Sequence, residues 1–438
     1  MTFFKSKTNS VMAGVNKTLS LFLIGLIPFF STMGSTYSAD SENQKTGKGT
    51  SVEERLAHVF AKGKFNVNLR YRYEFVNQDG LNRNAHANTL RARIGYTTGT
   101  FYGFSAKAEG EAIAPIGHEF FNSTTNGSST FPTVADPEEL EVNQLWLRYS
   151  NIPKTVITGG RQRIIFDNAR FVGNVGWRQN EQTFDAAQIN FKGVPDTKLT
   201  YVYLWKVNRI FGDDSLNGNF RMSSHLVNAA YNGFKKYGKL TAYAYLLDFT
   251  RRTQSANSTQ TYGLRFKGDH KITDKAKLLY TLEGAHQRDF SDNTNNINQN
   301  YYTGELGIHF PKVFDKVSVT GKIGYEVLEG DGNRAFQTPL ATLHAFNGWT
   351  DKFLSTPSDG IEDLYFALGL KLYGVNILGV YHDFDANNTS ADYGNEWGIN
   401  ISRKFFKRFS AGVKYANYGA EDFATDTQKL WLTLQFDY

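Results

Sequence analysis

Residues 65–75 read FNVNLRYRYEF, and this stretch decides the fold. Every odd-numbered position is apolar or aromatic, and every even-numbered position is polar or charged. Side chains alternate between the two faces of a β-strand, so the stretch predicts a strand with one apolar face and one ionic face. The sequence therefore predicts an all-β fold. The same alternation returns at 90–96, 104–112, 145–149, 199–205, 241–245, 278–283 and 409–415.

Two kinds of protein show such alternation, and the composition of the strand faces distinguishes them. In a soluble β-sandwich the apolar face packs on a second sheet and the polar face meets water. Here the polar faces carry clustered charges, such as Arg70, Arg72 and Glu74, while the apolar faces carry aromatic residues near the strand ends. Lipid outside, aromatic belts at both interfaces and a wet lumen are typical of a membrane barrel. We therefore predict a transmembrane antiparallel β-barrel over 65–438, with long extracellular loops.

The overall composition excludes several other classes of protein. A mean hydropathy of -0.43 and 21% charged residues exclude a bundle of membrane helices. The absence of cysteine excludes disulfides, thiolate metal sites and thiol nucleophiles. A net charge of +6 without a dense Lys/Arg block does not indicate a nucleic-acid partner.

We also expect no enzyme activity, no cofactor and no metal site, because the sequence contains no G-x-S-x-G, H-E-x-x-H or glycine-rich phosphate-binding motif. A barrel hydrolase built on a Ser/His or Asp/His pair is the alternative. Residues 213–218 (DDSLNG) resemble the first half of a calcium loop, but no glutamate follows at the position that such a loop requires. Incidental calcium between loops stays open.

The beginning of the chain has the organisation of a secretory signal peptide. A basic segment precedes an apolar run at 19–30, and small residues follow. We predict a cleaved signal peptide over 1–39 and a periplasmic leader over 40–64 that includes a short helix at 52–61. A retained membrane anchor is the alternative, but Pro28 interrupts a run that is already shorter than the roughly 20 residues that span a membrane.

Residues 430–438 (LWLTLQFDY) point to one membrane in particular. The even-numbered positions are apolar or aromatic throughout, as in a strand that closes a barrel. The segment resembles the C-terminal signal of bacterial outer-membrane proteins. We therefore predict a location in the outer membrane of a Gram-negative cell. The expected partners there are the barrel-assembly machinery, outer-membrane lipid and lipopolysaccharide.

The number of strands follows from counting the alternating runs. The count is eighteen, and sixteen is the alternative, because the runs near 155–165 and 182–192 are the least distinct. A barrel of either size leaves an aqueous channel unless a loop folds into it. The sequence therefore favours passage of a hydrophilic solute.

Two motifs indicate which solute. Residues 159–171 read GGRQRIIFDNARF and residues 176–186 read GWRQNEQTFDA. This pair resembles the alginate export porin family, whose signature joins a GRQR strand to a TFD strand, and the segments at 136–138 (DPE) and 338–349 (TPLATLHAFNGW) look similar to the wider family. The resemblance covers most of the chain from about residue 65. It implies a monomeric eighteen-stranded barrel with an arginine-rich constriction that conducts an acidic polysaccharide.

Charged residues on the polar strand faces and in the motif segments form the predicted lining of the pore. Guanidinium groups bind carboxylates in bidentate fashion, and interspersed carboxylates keep an anion from binding too tightly to move on. The alternative is that these charges form ion-pair ladders that only brace the wall. Arg161 and Arg163 share a parity with Ile157 and Ile165, so their lumen position requires a bulge or a strand end. The predicted set is Arg70, Arg72, Arg91, Arg93, Glu109, Glu111, Arg148, Arg161, Arg163, Asp167, Arg170, Arg178, Glu181 and Asp185.

The longest loop-like stretch, 330–360, is unusually apolar and is the candidate constriction loop. Long loops with their own hydrophobic cluster are usually functional. We expect a short helix folded into the lumen, with His344, Phe346 and Trp349 at the constriction. The alternative is an external cap that packs on neighbouring loops. We expect His344 to be a hydrogen-bonded loop residue, not a metal ligand or a base.

The leading functional hypothesis is therefore an anion-selective channel for an acidic polysaccharide or another organic anion. Two alternatives stay open, which are a general porin for small nutrients and a plugged structural or adhesive barrel that acts through its loops. The sequence does not distinguish export from uptake, since a passive pore follows whatever gradient the cell maintains.

Overall fold

The computed structural model describes residues 51–438, so the predicted signal peptide (1–39) and the first part of the predicted leader (40–50) lie outside the described residues. Within the described range, one α-helix precedes eighteen strands, and strands that follow each other in the chain pair antiparallel. The strands are β1 (Lys64–Gln78), β2 (Ala85–Thr97), β3 (Phe104–Pro115), β4 (Glu139–Tyr149), β5 (Thr155–Gln162), β6 (Thr183–Phe191), β7 (Thr197–Asn208), β8 (Asn219–Tyr231), β9 (Lys239–Leu247), β10 (Thr259–Thr273), β11 (Ala276–Asp289), β12 (Asn298–Phe314), β13 (Val317–Leu328), β14 (Ile361–Leu372), β15 (Val375–Asp385), β16 (Asp392–Phe405), β17 (Phe409–Gly419) and β18 (Thr427–Asp437).

The strands close into a barrel because β1 pairs with β18 as well as with β2. At this seam Arg72 lies opposite Thr433, and the backbone N–H of Tyr438 donates to the carbonyl oxygen of Val67 at 2.8 Å. The predicted antiparallel barrel of eighteen strands is confirmed. The two least distinct runs form β5 and β6, which excludes the count of sixteen.

The two faces of the wall differ as the alternation predicts. On β18, Leu432 and Leu434 lie on the outer face and are 40% and 54% exposed, whereas Trp431 lies on the inner face and is 4% exposed. Glu74 of β1 lies opposite Trp431 and is fully buried inside the barrel. Apolar side chains therefore form the outer surface, and charged side chains collect in the lumen.

The two ends of the barrel differ in the length of their connections. Outer-membrane barrels have short periplasmic turns and longer extracellular loops, so this difference orients the molecule. The short turns include 274–275, 315–316 and 373–374, and the long loops include 116–138, 163–182 and 329–360.

The helix predicted at 52–61 is present as α1 (Val52–Ala61), and it lies at the periplasmic end. Ser51 and Glu54 form a capping box that satisfies backbone donors of the first turn. The carbonyl oxygen of Val59 accepts the N–H of Gly99 at 2.9 Å, which joins the helix to the turn between β2 and β3. None of the helices within 51–438 is long and apolar enough to cross a membrane.

Two of the long extracellular loops fold into the barrel, and we name them inner loop 1 (163–182) and inner loop 2 (329–360). They contact each other directly, because Val172 and Leu340 form a β-bridge and the N–H of Gly173 donates to the Leu340 carbonyl oxygen at 2.9 Å. Aromatic side chains of both loops then pack on the inner wall. The tertiary fold therefore places a two-loop assembly across the lumen.

The candidate constriction loop is inside the barrel, as expected, but it does not contain the predicted helix. Only the 3₁₀ turn Leu343–Ala345 forms. Pro339 precedes it, and Asn347 and Gly348 follow with φ of 51° and 88°, which ends any helical run. An external cap is excluded because the N–H of Thr350 donates to Glu396 on the inner face of β16 at 2.9 Å.

Candidate functional site

Four arginines form a row on the lumen wall, with Arg70 and Arg72 on β1 and Arg91 and Arg93 on β2. They share the inward face because Arg70 lies directly opposite Arg91 in the strand register. All four are buried, since the backbone carbonyl groups at 176–179 of inner loop 1 accept hydrogen bonds from them. The distances include 3.0 Å from Arg70 Nη1 to Gly176, 3.2 Å from Arg91 Nη1 to Gln179 and 3.2 Å from Arg93 Nη2 to Gln179.

Three arginines of this row have a carboxylate partner, and Arg70 has none within ion-pair distance among residues 51–438. Its Nε donates to Gln179 Oε1 at 2.9 Å, and its other donors reach backbone carbonyl groups. The positive charge of Arg70 is therefore not offset by a direct neighbour. The ion pairs of the row are Arg72–Glu74, Arg72–Asp136, Arg91–Glu111, Arg93–Glu111 and Arg93–Glu181.

Arg163 joins two carboxylates at the base of inner loop 1. Its Nε donates to Glu181 at 2.6 Å, and its Nη2 lies 3.0 Å from Glu109. Burial raises the pKa of the Glu181 carboxyl, but Arg93 and Arg163 outweigh burial and hold that pKa below its ordinary value. Arg163 follows the last residue of β5, so the strand end that its parity required is present.

Arg161 and Asp185 form an ion pair of 2.8 Å, but on the other face of the wall. They lie opposite each other in register, and Arg161 also lies opposite Leu145, which is 57% exposed on the outer surface. The neighbouring pair Gln162 and Phe184 lies inward instead and is buried. The register therefore corrects the lumen assignment of Arg161 and Asp185, because strand parity continues through this part of β5 and β6.

Arg178 connects the two inner loops to the wall. Its Nη1 lies 3.0 Å from Glu74 of β1, and its Nη2 lies 3.4 Å from Asp351 of inner loop 2. Asp351 also accepts from Lys429 of β18 at 2.8 Å and from His344 at 2.7 Å. Burial raises the pKa of the Asp351 carboxyl, but Lys429 and His344 outweigh it and hold that pKa well below its ordinary range.

His344 is a hydrogen-bonded loop residue in this structure, as expected. Its Nδ1 lies 2.7 Å from Asp351, and its Nε2 accepts from the Lys414 ammonium of β17 at 2.7 Å. Burial, with the charge of Lys414, lowers the pKa of His344 to about 3. The imidazole is therefore neutral at neutral pH, which allows it to donate to Asp351 and accept from Lys414 at once.

Arg170 is a second fully buried link between the loops and the wall. Its Nε lies 2.9 Å from Glu326 of β13, and its Nη2 donates to Asn347 of inner loop 2 at 3.1 Å. Its Nη1 donates to Thr338, and its guanidinium lies 4.8 Å from the ring centroid of Phe346. Phe346 therefore contributes to holding the loops, and it also lines a cavity of about 390 Å³ between inner loop 2 and the wall.

Trp349 and Asp167, two further predicted residues, also hold the loops. The backbone N–H of Trp349 donates to Glu396, and its ring lies 4.5 Å from the Lys414 ammonium. Asp167 accepts from Lys239 of β9 at 2.7 Å.

Arg148 stands apart from the other predicted residues. It lies on the inner face near the periplasmic end, and its guanidinium is 4.3 Å from the ring centroid of Trp146. Its Nε donates to Thr158 Oγ1 of β5 at 3.3 Å, so these partners lie on the wall and not on the inner loops.

The structure also reveals wall residues that the sequence prediction missed. They lie on the inward, polar faces of their strands, as the predicted strand residues of the arginine row do. The same alternation would therefore have identified them if it had been applied to every strand. Asp136 lies in the DPE segment, but no pattern in the sequence assigned it to Arg72. The missed strand residues are Glu326, Glu396, Lys414 and Lys429.

Three carboxylates, from Glu139, Glu141 and Asp213, have oxygen atoms within 4.8 Å of one another at the extracellular rim. Asp213 belongs to the segment that resembles half of a calcium loop. Acidic groups meet in this way on many surfaces, and the backbone N–H of Asp213 already donates to Glu139 at 3.1 Å. We therefore do not assign a metal site to these three carboxylates.

A cavity of about 250 Å³ lies on the periplasmic side of the inner loops. Arg70, Arg72 and Lys414 supply positive charge, and the indoles of Trp177 and Trp431 supply ring faces. The remaining lining consists of Asn400, Ser402, Ser410, Ala411, Gly412 and Thr433. The arrangement suits a solute that combines negative charge with hydroxyl groups.

Comparisons with known proteins agree with this architecture. OccAB4 of Acinetobacter baumannii superimposes with a TM-score of 0.69 at 12% identity, covering 86% of this chain and 98% of that one. OpdQ of Pseudomonas aeruginosa gives 0.64 at 15% identity, with 86% and 99% covered. OpdK of Pseudomonas aeruginosa, solved with vanillate, gives 0.65 at 12% identity, with 87% and 99% covered. At these identities the likeness establishes a shared fold.

The sequence itself assigns the family. No curated protein matches the chain in sequence. A family model described as alginate export matches residues 61–342, which is well over half of the chain and includes the motifs at 159–171 and 176–186. Barrel and family together identify an outer-membrane channel protein. The chain belongs to the alginate export family.

Proposed function

We propose that the barrel passes an acidic saccharide, an alginate-like polyuronate or its oligomers, along an arginine-lined lumen. Family membership supports this solute, and so does the excess of positive charge on the periplasmic side of the inner loops. The proposal includes a cleaved signal peptide, a Gram-negative outer membrane, a monomeric barrel and no catalytic activity.

The observation that carries the proposal is the pair Arg70 and Lys414 at the periplasmic cavity. Arg70 donates only to neutral acceptors, and Lys414 donates to the neutral His344. Neither has a carboxylate within ion-pair distance in the described part of the chain. A uronate carboxylate would supply the missing negative charge, and Trp431 offers a ring face on which a sugar can stack.

The periplasmic mouth provides a route by which an anion would approach. A cavity of about 450 Å³ there is lined by four lysines and two carboxylates. This excess of positive charge raises the local concentration of anions, because a cleft lined mainly by one sign of charge concentrates the electric field. The lysines are Lys235, Lys239, Lys267 and Lys322, and the carboxylates are Asp269 and Glu305.

A solute can pass only if the inner loops move, because they occupy the lumen between the periplasmic and extracellular ends. The carboxylates paired with the arginine row would compete with a bound uronate, so a solute would be released as readily as it enters. A passive channel of this kind serves export or uptake, depending on the gradient.

The test is the zero-current potential of the refolded protein in a planar bilayer under a salt gradient. We expect anion selectivity, block by alginate oligomers, and lower selectivity in the double variant Arg70→Gln, Lys414→Gln. Lys275→Gln, on an exposed periplasmic turn, is the control. Cation selectivity would overturn the proposal and favour a general porin, whereas a protein without conductance would be a plugged barrel that acts through its loops.

A further inference from the structure

A second cavity, of about 450 Å³, lies on the extracellular side of the inner loops. Its wall is built from the loops at 79–84, 116–138 and 209–218, together with both inner loops and the extracellular ends of β1 and β18. It is separate from the periplasmic cavity, because the two inner loops lie between them. We name it the outer cavity.

The charges on the wall of the outer cavity do not balance. Four cationic side chains line it, and Asp351 is the one carboxylate that does so. Arg178 and Lys429 both pair with Asp351, and Arg178 also pairs with Glu74, so each of these two cations has a carboxylate partner. Arg209 and Lys352 are the other two cations, and neither forms an ion pair within residues 51–438.

Arg209 is held at the cavity wall by two aromatic rings and one hydrogen bond. Its guanidinium lies 4.6 Å from the ring centroid of Phe211 and 4.2 Å from that of Phe220. Its Nη1 donates to the Asn217 carbonyl oxygen at 3.1 Å, and no carboxylate neutralises it. Burial lowers the pKa of Arg209 to about 10, which is the cost of keeping this charge away from water.

Lys352 has no hydrogen-bond partner at all within the described residues. Burial, with the charge of Lys429, lowers the pKa of its ammonium to about 8. Arg209 and Lys352 are both partly buried and have no counter-charge, which is unfavourable, and a bound anion at each would offset that cost.

The rest of the wall limits the kind of anion. Apolar side chains and neutral hydrogen-bonding side chains both face the cavity. The wall therefore suits a carbon skeleton that carries one negative charge for Arg209, one for Lys352 and few others. The apolar group includes Leu81, Phe131, Phe211, Leu343 and Leu354, and the neutral polar group includes Gln78, Asn122, Ser129, Thr133 and Gln182.

We propose that the outer cavity binds a compact organic dianion that carries two carboxylates, one held by Arg209 and the other by Lys352. A free dicarboxylic acid and a disaccharide of two uronate residues share this chemistry. The site does not rest on the proposed function, because its charge balance is independent of what crosses the lumen.

The test is isothermal titration of the full-length mature protein in detergent with glutarate, with its half-amide glutaramate, and with a diuronate. Glutaramate has nearly the same size as glutarate but only one negative charge. We expect glutarate to bind at least about tenfold more tightly than glutaramate, because one charge-assisted contact is lost. If the diuronate binds about as tightly as glutarate, the natural ligand is a saccharide. If the diuronate does not bind, the natural ligand is a free dicarboxylic acid.

The variants Lys352→Met and Arg209→Gln should each abolish the preference for glutarate over glutaramate, and Lys352→Arg should retain it. Lys275→Met is the matched control and should leave the preference unchanged. Heat-modifiable gel mobility verifies that each barrel is folded, and Lys352→Met carries the test if Arg209→Gln does not fold. Equal affinity of the two ligands for the native protein, or a preference that survives Lys352→Met, would overturn the proposal.

Discussion

The indole of Trp177 stacks on the imidazole of His344, with ring centroids 3.4 Å apart and planes 16° from parallel. Trp177 belongs to inner loop 1 and His344 to inner loop 2, so the stack joins the two segments, and it does so beside Trp431 of β18 and Lys414 of β17. Arg178, the next residue after Trp177, adds the ion pair with Asp351. The two loops therefore form one packed assembly, and whatever loosens one of them should loosen both.

Replacing Arg178 with Gln should open the channel. The substitution leaves Glu74 and Asp351 with one fewer partner inside the barrel, and breaking a buried pair in this way costs about 3–5 kcal/mol. We expect a higher single-channel conductance in planar bilayers. Lys271→Gln, which removes an exposed pair with Asp274, is the control. Unchanged conductance in Arg178→Gln would show that this residue does not hold the loops in place.

Acidification should loosen the inner loops through His344. Its pKa is about 3 when the loops are packed and about 6.5 when the imidazole is exposed, so the packed state binds fewer protons. Packing is therefore fully favoured above pH 6.5 and weakens as the pH falls towards 3. Asp351 stays ionised over most of this window, since its pKa is held well below its ordinary range.

At pH 5 the ratio of open to packed loops should be about 30-fold higher than at pH 8, from this one group. Channel conductance recorded between pH 8 and pH 5 measures the effect. His344→Gln removes the titrating group, and its conductance should change much less over the same range. A native protein with a flat profile would contradict the prediction.

Replacing Arg170 with Ala should destabilise the protein as a whole. Arg170 is 1% exposed, and its loss leaves Glu326 buried without its cation, at a cost of about 3–5 kcal/mol. Lys277→Ala, which removes an exposed pair with Asp269, should cost less than about 1 kcal/mol. Urea unfolding in lipid vesicles, followed by tryptophan fluorescence, gives both values. If the two variants lose the same unfolding free energy, the contacts of Arg170 do not contribute to the stability of the barrel.

The two faces of β18 should respond differently to an introduced charge. Leu432 faces lipid, and Leu432→Arg should cost about 2–4 kcal/mol if the site lies near the middle of the bilayer. Thr433 faces the periplasmic cavity, so Thr433→Arg should cost far less. The difference in unfolding free energy between these adjacent variants tests the orientation of the strand. A reversed order would mean that β18 is shifted by one residue.

Strand alternation was sufficient to predict the barrel. The pattern at 65–75 becomes β1 with Arg70, Arg72 and Glu74 inward, because a side chain's face depends only on its position along an extended strand. Closure is a contact between the two distant strands β1 and β18, and the alternating segment at 430–438 indicated it. Arg163 also reached the lumen once its strand ended, whereas Arg161 stayed outward with Leu145.

The environment of the arginine row was decided only by the tertiary structure. The sequence placed Arg70 on the lumen face, but it did not show that the carbonyl groups of 176–179 would cover it. Nor did any local pattern pair Arg178 with Asp351, or stack Trp177 on His344. Strand faces are determined by neighbours in the chain, but loop positions are determined by partners far apart in it. The sequence by itself therefore determined a charged barrel, and only the folded loops decided how its lumen is filled.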